Sequence, residues 1–242
     1  MNISEEILEV SGIKVNVTRK PIKNVHLSVH PPMGAVRLSV PSRMTHDVAR
    51  LAVIRRLKWI HQKRTEFEQQ ARETERLYVS GESHYFDGQR LILDVRETSG
   101  SGKASVVGSG RLALDVQRTA SLKTKARTID KFYRNHLRHL ASSMLPKWEA
   151  KLSVSSTELR IQRMKTRWGS CNPDNGRVLL NLELAKKPKK CFEFILVHEL
   201  VHLLERHHNQ RFISLMDDAM PDWRQRKELL KSYPLAYETW EY

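Results

Sequence analysis

From Ile13 to Pro41 apolar and polar residues alternate, most clearly in "NVHLSV" (24–29) and "AVRLSV" (35–40). A period of two predicts strands whose side chains point alternately to a buried and a wet face. "HPPMG" (30–34) between the two runs supplies turn residues, so the segment predicts a β-hairpin. The period then changes. Thr45 offers an N-cap, and Val48, Leu51, Ala52, Leu57 and Ile60 recur along one side of a helix predicted to about Gln70. Tyr78 to Val95 returns to strands, broken at "DGQ", and "RETSGSGKASVVGSGR", Arg96 to Arg111, is rich enough in Gly and Ser to predict a linker or mobile loop.

A second long helix is predicted from about Ala126 to Glu149, because Ile129, Tyr133, Leu137, Leu140, Met144 and Trp148 recur at spacings of three and four. Pro146 should kink or end it. Leu159 to Trp168 predicts a strand with Met164, Thr166 and Trp168 on one face and the cations Arg163, Lys165 and Arg167 on the other. After the turn "NPDNG", "RVLLNLEL" predicts an apolar strand, so Arg163 to Leu184 forms a hairpin. Pro188 then starts a helix over "KKCFEFILVHELVHLL" whose apolar content predicts burial. No internal repeat is visible. These elements make an α+β chain, read as a β-rich region over 1–100 with a helix at about 45–70, a loop and strand over 101–120, and a further domain over 121–242.

Composition narrows the function classes. With 242 residues and 40% hydrophobic content the chain can bury a sizeable core. No apolar run approaches the ~18 to 20 residues needed to cross a bilayer, and no leader pattern is visible, so the expectation is a cytoplasmic protein without membrane contact. Two cysteines, Cys171 and Cys191, are too few for a disulfide scaffold and fit a reducing compartment. A net charge of +15 favours encounters with any anion, nucleic acid included. The basic residues carry no zinc-finger, bZIP or RNP signature. The stripe Arg163, Lys165 and Arg167 is the candidate contact for nucleic acid or an acidic substrate.

The most informative chemistry lies in "VHELVHLLERHHNQRF", Val197 to Phe212. His198 and His202 stand at i and i+4, so both imidazoles lie on one helix face about one turn apart, and Glu199 adjoins the first. Neutral imidazoles at this spacing suit Zn²⁺, and the adjacent carboxylate can act as a general base. Both histidines and Glu199 interrupt an otherwise apolar helix. Burying them without partners would cost on the order of several kcal/mol, and a metal supplies the partner. A third ligand is still needed. Glu205 shares the face but would sit ~10 Å along the axis from His198 on a straight helix. The chain must therefore turn within "ERHHNQ", which makes His207 and His208 candidates. The spacing from His202 to His208 is that of metzincins, with Glu205 where those have Gly.

"RMKTRWGSCNPDNGRVLLNLEL", "FILVHELVHLLERHHNQRF" and "MPDW" together resemble the YgjP-like metallopeptidase family, which is grouped with SprT-like and Wss1-like zinc proteases. The close match runs from Met164 to Trp223. The resemblance implies a zincin-like domain and one Zn²⁺ per chain held by His198, His202 and His208. It further implies Glu199 as base, a packed aromatic at Phe212 and no ligand role for His207. The implied activity is endopeptidase cleavage of a protein or peptide. An extended substrate would add as a strand to an exposed sheet edge, for which the Val178–Glu183 backbone, with Asn181 and Leu182, is the candidate. Arg167, Tyr233 and Tyr237 are candidates for stabilising the oxyanion, and Cys171 for an inhibitory thiolate. The alternative is a nucleic-acid-associated protein with a structural or latent metal, or a DNA-stimulated protease of the Wss1-like kind. Glu199 separates these readings, since a closed structural site has no use for a carboxylate beside its ligand.

Overall fold

Two turns of positive φ, Ser11–Gly12 and Asp87–Gly88, each fold the chain into a tight hairpin, as type I′ geometry requires. Each hairpin opens a four-stranded sheet of the same plan. The computed structural model describes residues 4–30, 34–69, 73–165 and 167–234. These fall into two units, one before and one after the boundary between residues 72 and 73, and each has its own apolar core.

In the first unit, β1 (Ser4–Val10), β2 (Ile13–Lys20), β3 (His26–His30) and β4 (Ala35–Pro41) pair in the order β1-β2-β4-β3. The outer pairs are antiparallel and β2 runs parallel to β4. Alternation is obeyed: Leu8, Val15, Val17, Val36 and Leu38 are buried. The predicted hairpin is β3–β4; Pro31 to Met33 of its turn lie outside the described residues. The helix read as continuous to residue 70 is two helices, α1 (His46–Ile54) and α2 (Leu57–Gln69), separated at Arg55 and Arg56. The break resets the helical phase. Ala49, Val53 and Ile60 face the core, whereas Val48 and Leu51 are 49% and 51% exposed, so the stripe assigned from the sequence holds only in its later part.

In the second unit, β5 (Ser83–Phe86), β6 (Gln89–Glu97), β7 (Lys103–Val107) and β8 (Arg111–Val116) take the order β5-β6-β8-β7, again antiparallel outside and parallel between β6 and β8. The Gly/Ser segment is therefore no linker. Its glycines belong to the turns on either side of a five-residue strand that pairs antiparallel with β8. The helix α3 (Leu122–Leu152) starts at Ser121, whose side chain accepts a hydrogen bond from the Thr124 amide. It runs past Pro146 and ends where Ser153 turns left-handed at φ 54. Ile129, Tyr133, Leu137, Leu140 and Ala141 are its buried stripe, close to the one predicted.

The site is built beyond α3. There β9 (Glu158–Gln162), β10 (Gly169–Asn172) and β11 (Arg177–Asn181) form a sheet in the order β10-β11-β9. The strand expected to run to Trp168 stops at Gln162. Thr166 lies outside the described residues, and the loop around it is held by Asn181, whose Nδ2 donates to the Met164 and Arg167 carbonyls. A 3-10 turn (Leu182–Lys186) leads to α4 (Lys189–Val201), α5 (Gln210–Ala219) and α6 (Trp223–Ser232). The hairpin at Asp87–Gly88 fixes the entry to α4: its amides donate to the Ala185 and Lys186 carbonyls. Among the described residues no helix is long and apolar enough to cross a membrane.

Candidate metal centre

The helix α4 is apolar around nearly its whole circumference because it is enclosed by β10, β11, α5 and α6. Cys191, Phe192, Leu196, Val197, Leu200 and Val201 are all fully buried on it. Glu199 is only 5% exposed in this setting, which costs free energy unless the carboxyl is protonated or paired. After His202 the helix ends in tightened bonds, with the Leu203 and Leu204 amides donating to the Leu200 and Val201 carbonyls. The chain then reverses, and Asn209 caps α5 by accepting from the Phe212 amide. The required turn thus exists, and it returns His208 to the face of α4.

His198, His202 and His208 each offer a ring nitrogen, and the three nitrogens lie within 4.8 Å of one another. The Nε2 atoms of His198 and His208 are 3.0 Å apart. Phe212, buried, lies under the cluster with ring centroids 4.9, 4.7 and 4.7 Å from those of His198, His202 and His208. His202 donates from Nδ1 to the Glu205 carbonyl at 3.0 Å, leaving Nε2 as its lone-pair nitrogen. The Glu205 carboxylate does not join the cluster; it accepts from the His207 amide. His207 is exposed and is not among the three clustered histidines.

The electrostatics suit a cation. Burial, with the neighbouring His202, His208 and Lys227, holds His198 down at about 3, so it is neutral at physiological pH. Burial also lowers His208. Two ring nitrogens 3.0 Å apart share either a proton or a cation, and an all-imidazole donor set fits a borderline divalent ion such as zinc. Burial pushes the Glu199 carboxyl up to about 8, against the opposing pull of the Arg167 guanidinium.

The cluster opens into a cleft of about 820 Å³. The Gly169–Asn172 stretch of β10 lines it, as do Phe194 and Ile195 of α4 and Lys227 and Leu230 of α6. This corrects the assignment of the substrate edge: β11 lies between β10 and β9 and has no free edge. Asn181 is buried and bonded to the 163–167 loop and to the Glu183 amide, and Leu182 is in the core. Among the described residues, the edge beside the histidines is that of β10, which pairs only with β11. The cationic stripe is also revised. Arg163 leaves the strand and its guanidinium binds Glu183 and Asp130; Lys165 is exposed in the same loop, and only Arg167 lines the cleft.

Tyr233 is absent from the cleft lining and packs edge-on to Tyr85, and Tyr237 lies outside the described residues. Cys171 does line the cleft, but burial and the nearby Glu199 raise its thiol to about 11. Met216 and Met220 are core residues. Gly169, against Glu199, and α6 as a wall of the cleft leave no local signal in the sequence.

The family description "YgjP-like, metallopeptidase domain" matches residues 23–233. No curated protein matches the chain. Among solved structures, the metallopeptidase zymogen of Pyrococcus abyssi abylysin is similar at 17% identity and a TM-score of 0.35, over 40% of this chain and 99% of that one. The metallopeptidase zymogen of Methanocaldococcus jannaschii jannalysin is similar at 16% identity and a TM-score of 0.33, over 37% and 91% respectively.

Proposed function

The chain belongs to the YgjP-like metallopeptidase family, and from that premise we propose that it is a zinc-dependent endopeptidase. His198, His202 and His208 hold one Zn²⁺, and Glu199 is the general base. The observation that carries the reading is the convergence of three imidazole nitrogens within 4.8 Å beside a buried carboxylate in one cleft. When bound, the metal supplies a Lewis acid that makes water acidic enough to deprotonate near neutrality and polarises the scissile carbonyl.

The remaining work falls to the chain. An extended peptide adds along β10 as a further strand, its backbone bonding to the free edge of Gly169–Asn172. Glu199 takes a proton from the attacking water and later delivers it to the departing amine nitrogen, so acid and base are one group used twice. The Asn181 bonds to the Met164 and Arg167 carbonyls keep the rim of the cleft in place, and the His202–Glu205 bond fixes which nitrogen faces the metal.

The test compares wild type with Glu199→Gln for zinc content and for cleavage of an unfolded protein, with and without DNA. We expect one zinc per chain in both and a loss of about 100-fold or more in cleavage by the variant. Equal cleavage by the two would remove Glu199 from the chemistry. Zinc in both with cleavage by neither would mark the metal as structural or latent.

A further inference from the structure

Gly169 begins β10, pairs with Leu180 of β11 and lies against Glu199. A Cβ placed on Gly169 would lie 2.5 Å from Glu199 Oε1, 2.7 Å from its Cγ and 2.9 Å from its Cδ. Real Cβ atoms do not approach so closely, so an added methyl would displace the outer part of the Glu199 side chain from the strand toward the cleft that it lines. Gly169 is not among the glycines of positive φ, so its backbone could accept any residue. The need for glycine is a need for space, and the space is filled by one carboxylate.

We infer that Gly169 is the positioning residue of Glu199: the missing side chain on β10 lets the carboxylate lie flat against the strand where the peptide adds. The inference rests on Glu199 being the base. It goes further in explaining how that base and the substrate strand share a register. The reacting carbonyl is held by the β10 edge, and the group that takes the proton is packed against the first residue of the same strand. Carboxylate and substrate are thus referred to one piece of backbone, not to two elements that shift independently. A displacement near 1 Å at such a position can cost on the order of 100-fold in rate.

The experiment uses four full-length proteins: wild type, Gly169→Ala, Glu199→Ala and the double variant. Urea midpoints are read on metal-free protein, and zinc content, kcat and KM on zinc-loaded protein. The three atoms that an added methyl would meet all lie beyond Cβ of Glu199, so Glu199→Ala removes every one of them. Gly169→Ala is therefore expected to lower the midpoint in the wild-type background and to leave it unchanged in the Glu199→Ala background. With Glu199 present it should lower kcat at least tenfold while KM stays within about twofold and zinc content is unchanged. An equal midpoint loss in both backgrounds would mean that the glycine serves the strand alone, and an unchanged kcat would mean that the carboxylate is not held by it; either overturns the inference. Full activity in Glu199→Ala would instead strike at the base assignment.

Discussion

The two four-stranded sheets share one strand order and one pattern of parallel and antiparallel pairs, yet they are used in opposite ways. The first closes a small apolar core with α1 and α2. Every buried polar or charged residue among those described, from Glu73 and His84 to Glu199, lies in the second unit. The glycines of the two opening hairpins, though not those of the second hairpins, show the same contrast. A Cβ on Gly12 would meet nothing within 4 Å, whereas one on Gly88 would lie 2.7 Å from Pro188 at the head of α4 and 2.9 Å from the Tyr233 hydroxyl. One backbone plan can thus end in open solvent or serve as the foundation of a site, depending on what its turn touches.

The sharpest way to break this contrast is Lys186→Met. Lys186 pairs with Glu73 and Glu183 at 2.7 Å each, and removing it leaves each buried carboxylate with a single cation, Arg76 for Glu73 and Arg163 for Glu183, so urea unfolding of the second unit should lose about 3 kcal/mol. A neutral result would mean that water already reaches the cluster. Next in size is Gly88→Ala, which meets both a clash and a φ of +81 and should cost about 2 to 3 kcal/mol. Gly12→Ala, strained only by its φ of +74, should cost about 1 kcal/mol. Denaturation curves of the two variants give the difference directly, and equal losses would dissolve the comparison.

A further expected effect is one of pH. Burial, followed by the charge of Arg76, holds His84 near 4, with Lys186 also lowering it and Glu82 and Glu73 opposing. The unfolded chain takes up this proton near pH 6.5, the folded chain only near 4. Stability is therefore full above 6.5 and declines as pH falls through that window. Urea midpoints of metal-free protein at pH 7 and pH 4.5 should show the decline for the second unit, and His84→Phe should make it smaller, leaving the part that His198 contributes in the same window.

What the sequence disclosed followed from how local the cause was. His198 and His202 were legible because helix geometry alone puts i and i+4 on one face. The turn that returns His208 was legible because a straight helix cannot reach, although the choice between His207 and His208 needed the family resemblance. Strand β7 was hidden because four glycines of its flanking turns outweigh five strand residues in composition. The inward face of α1 was misjudged because a break at Arg55 and Arg56 leaves no mark in an apolar periodicity. Gly169 and the edge position of β10 are matters of tertiary approach and strand order, which no local pattern encodes.

The free edge of β10 has one further consequence. Unpaired backbone donors and acceptors invite any extended chain, including another copy of this protein, and so carry a hazard of self-association. Here the strand is four residues long and is followed at once by Pro173, which has no amide hydrogen to offer. A neighbour seeking to build a fibril finds too few bonds in register to hold it. A peptide held there for one turnover, as proposed, would require no more than these.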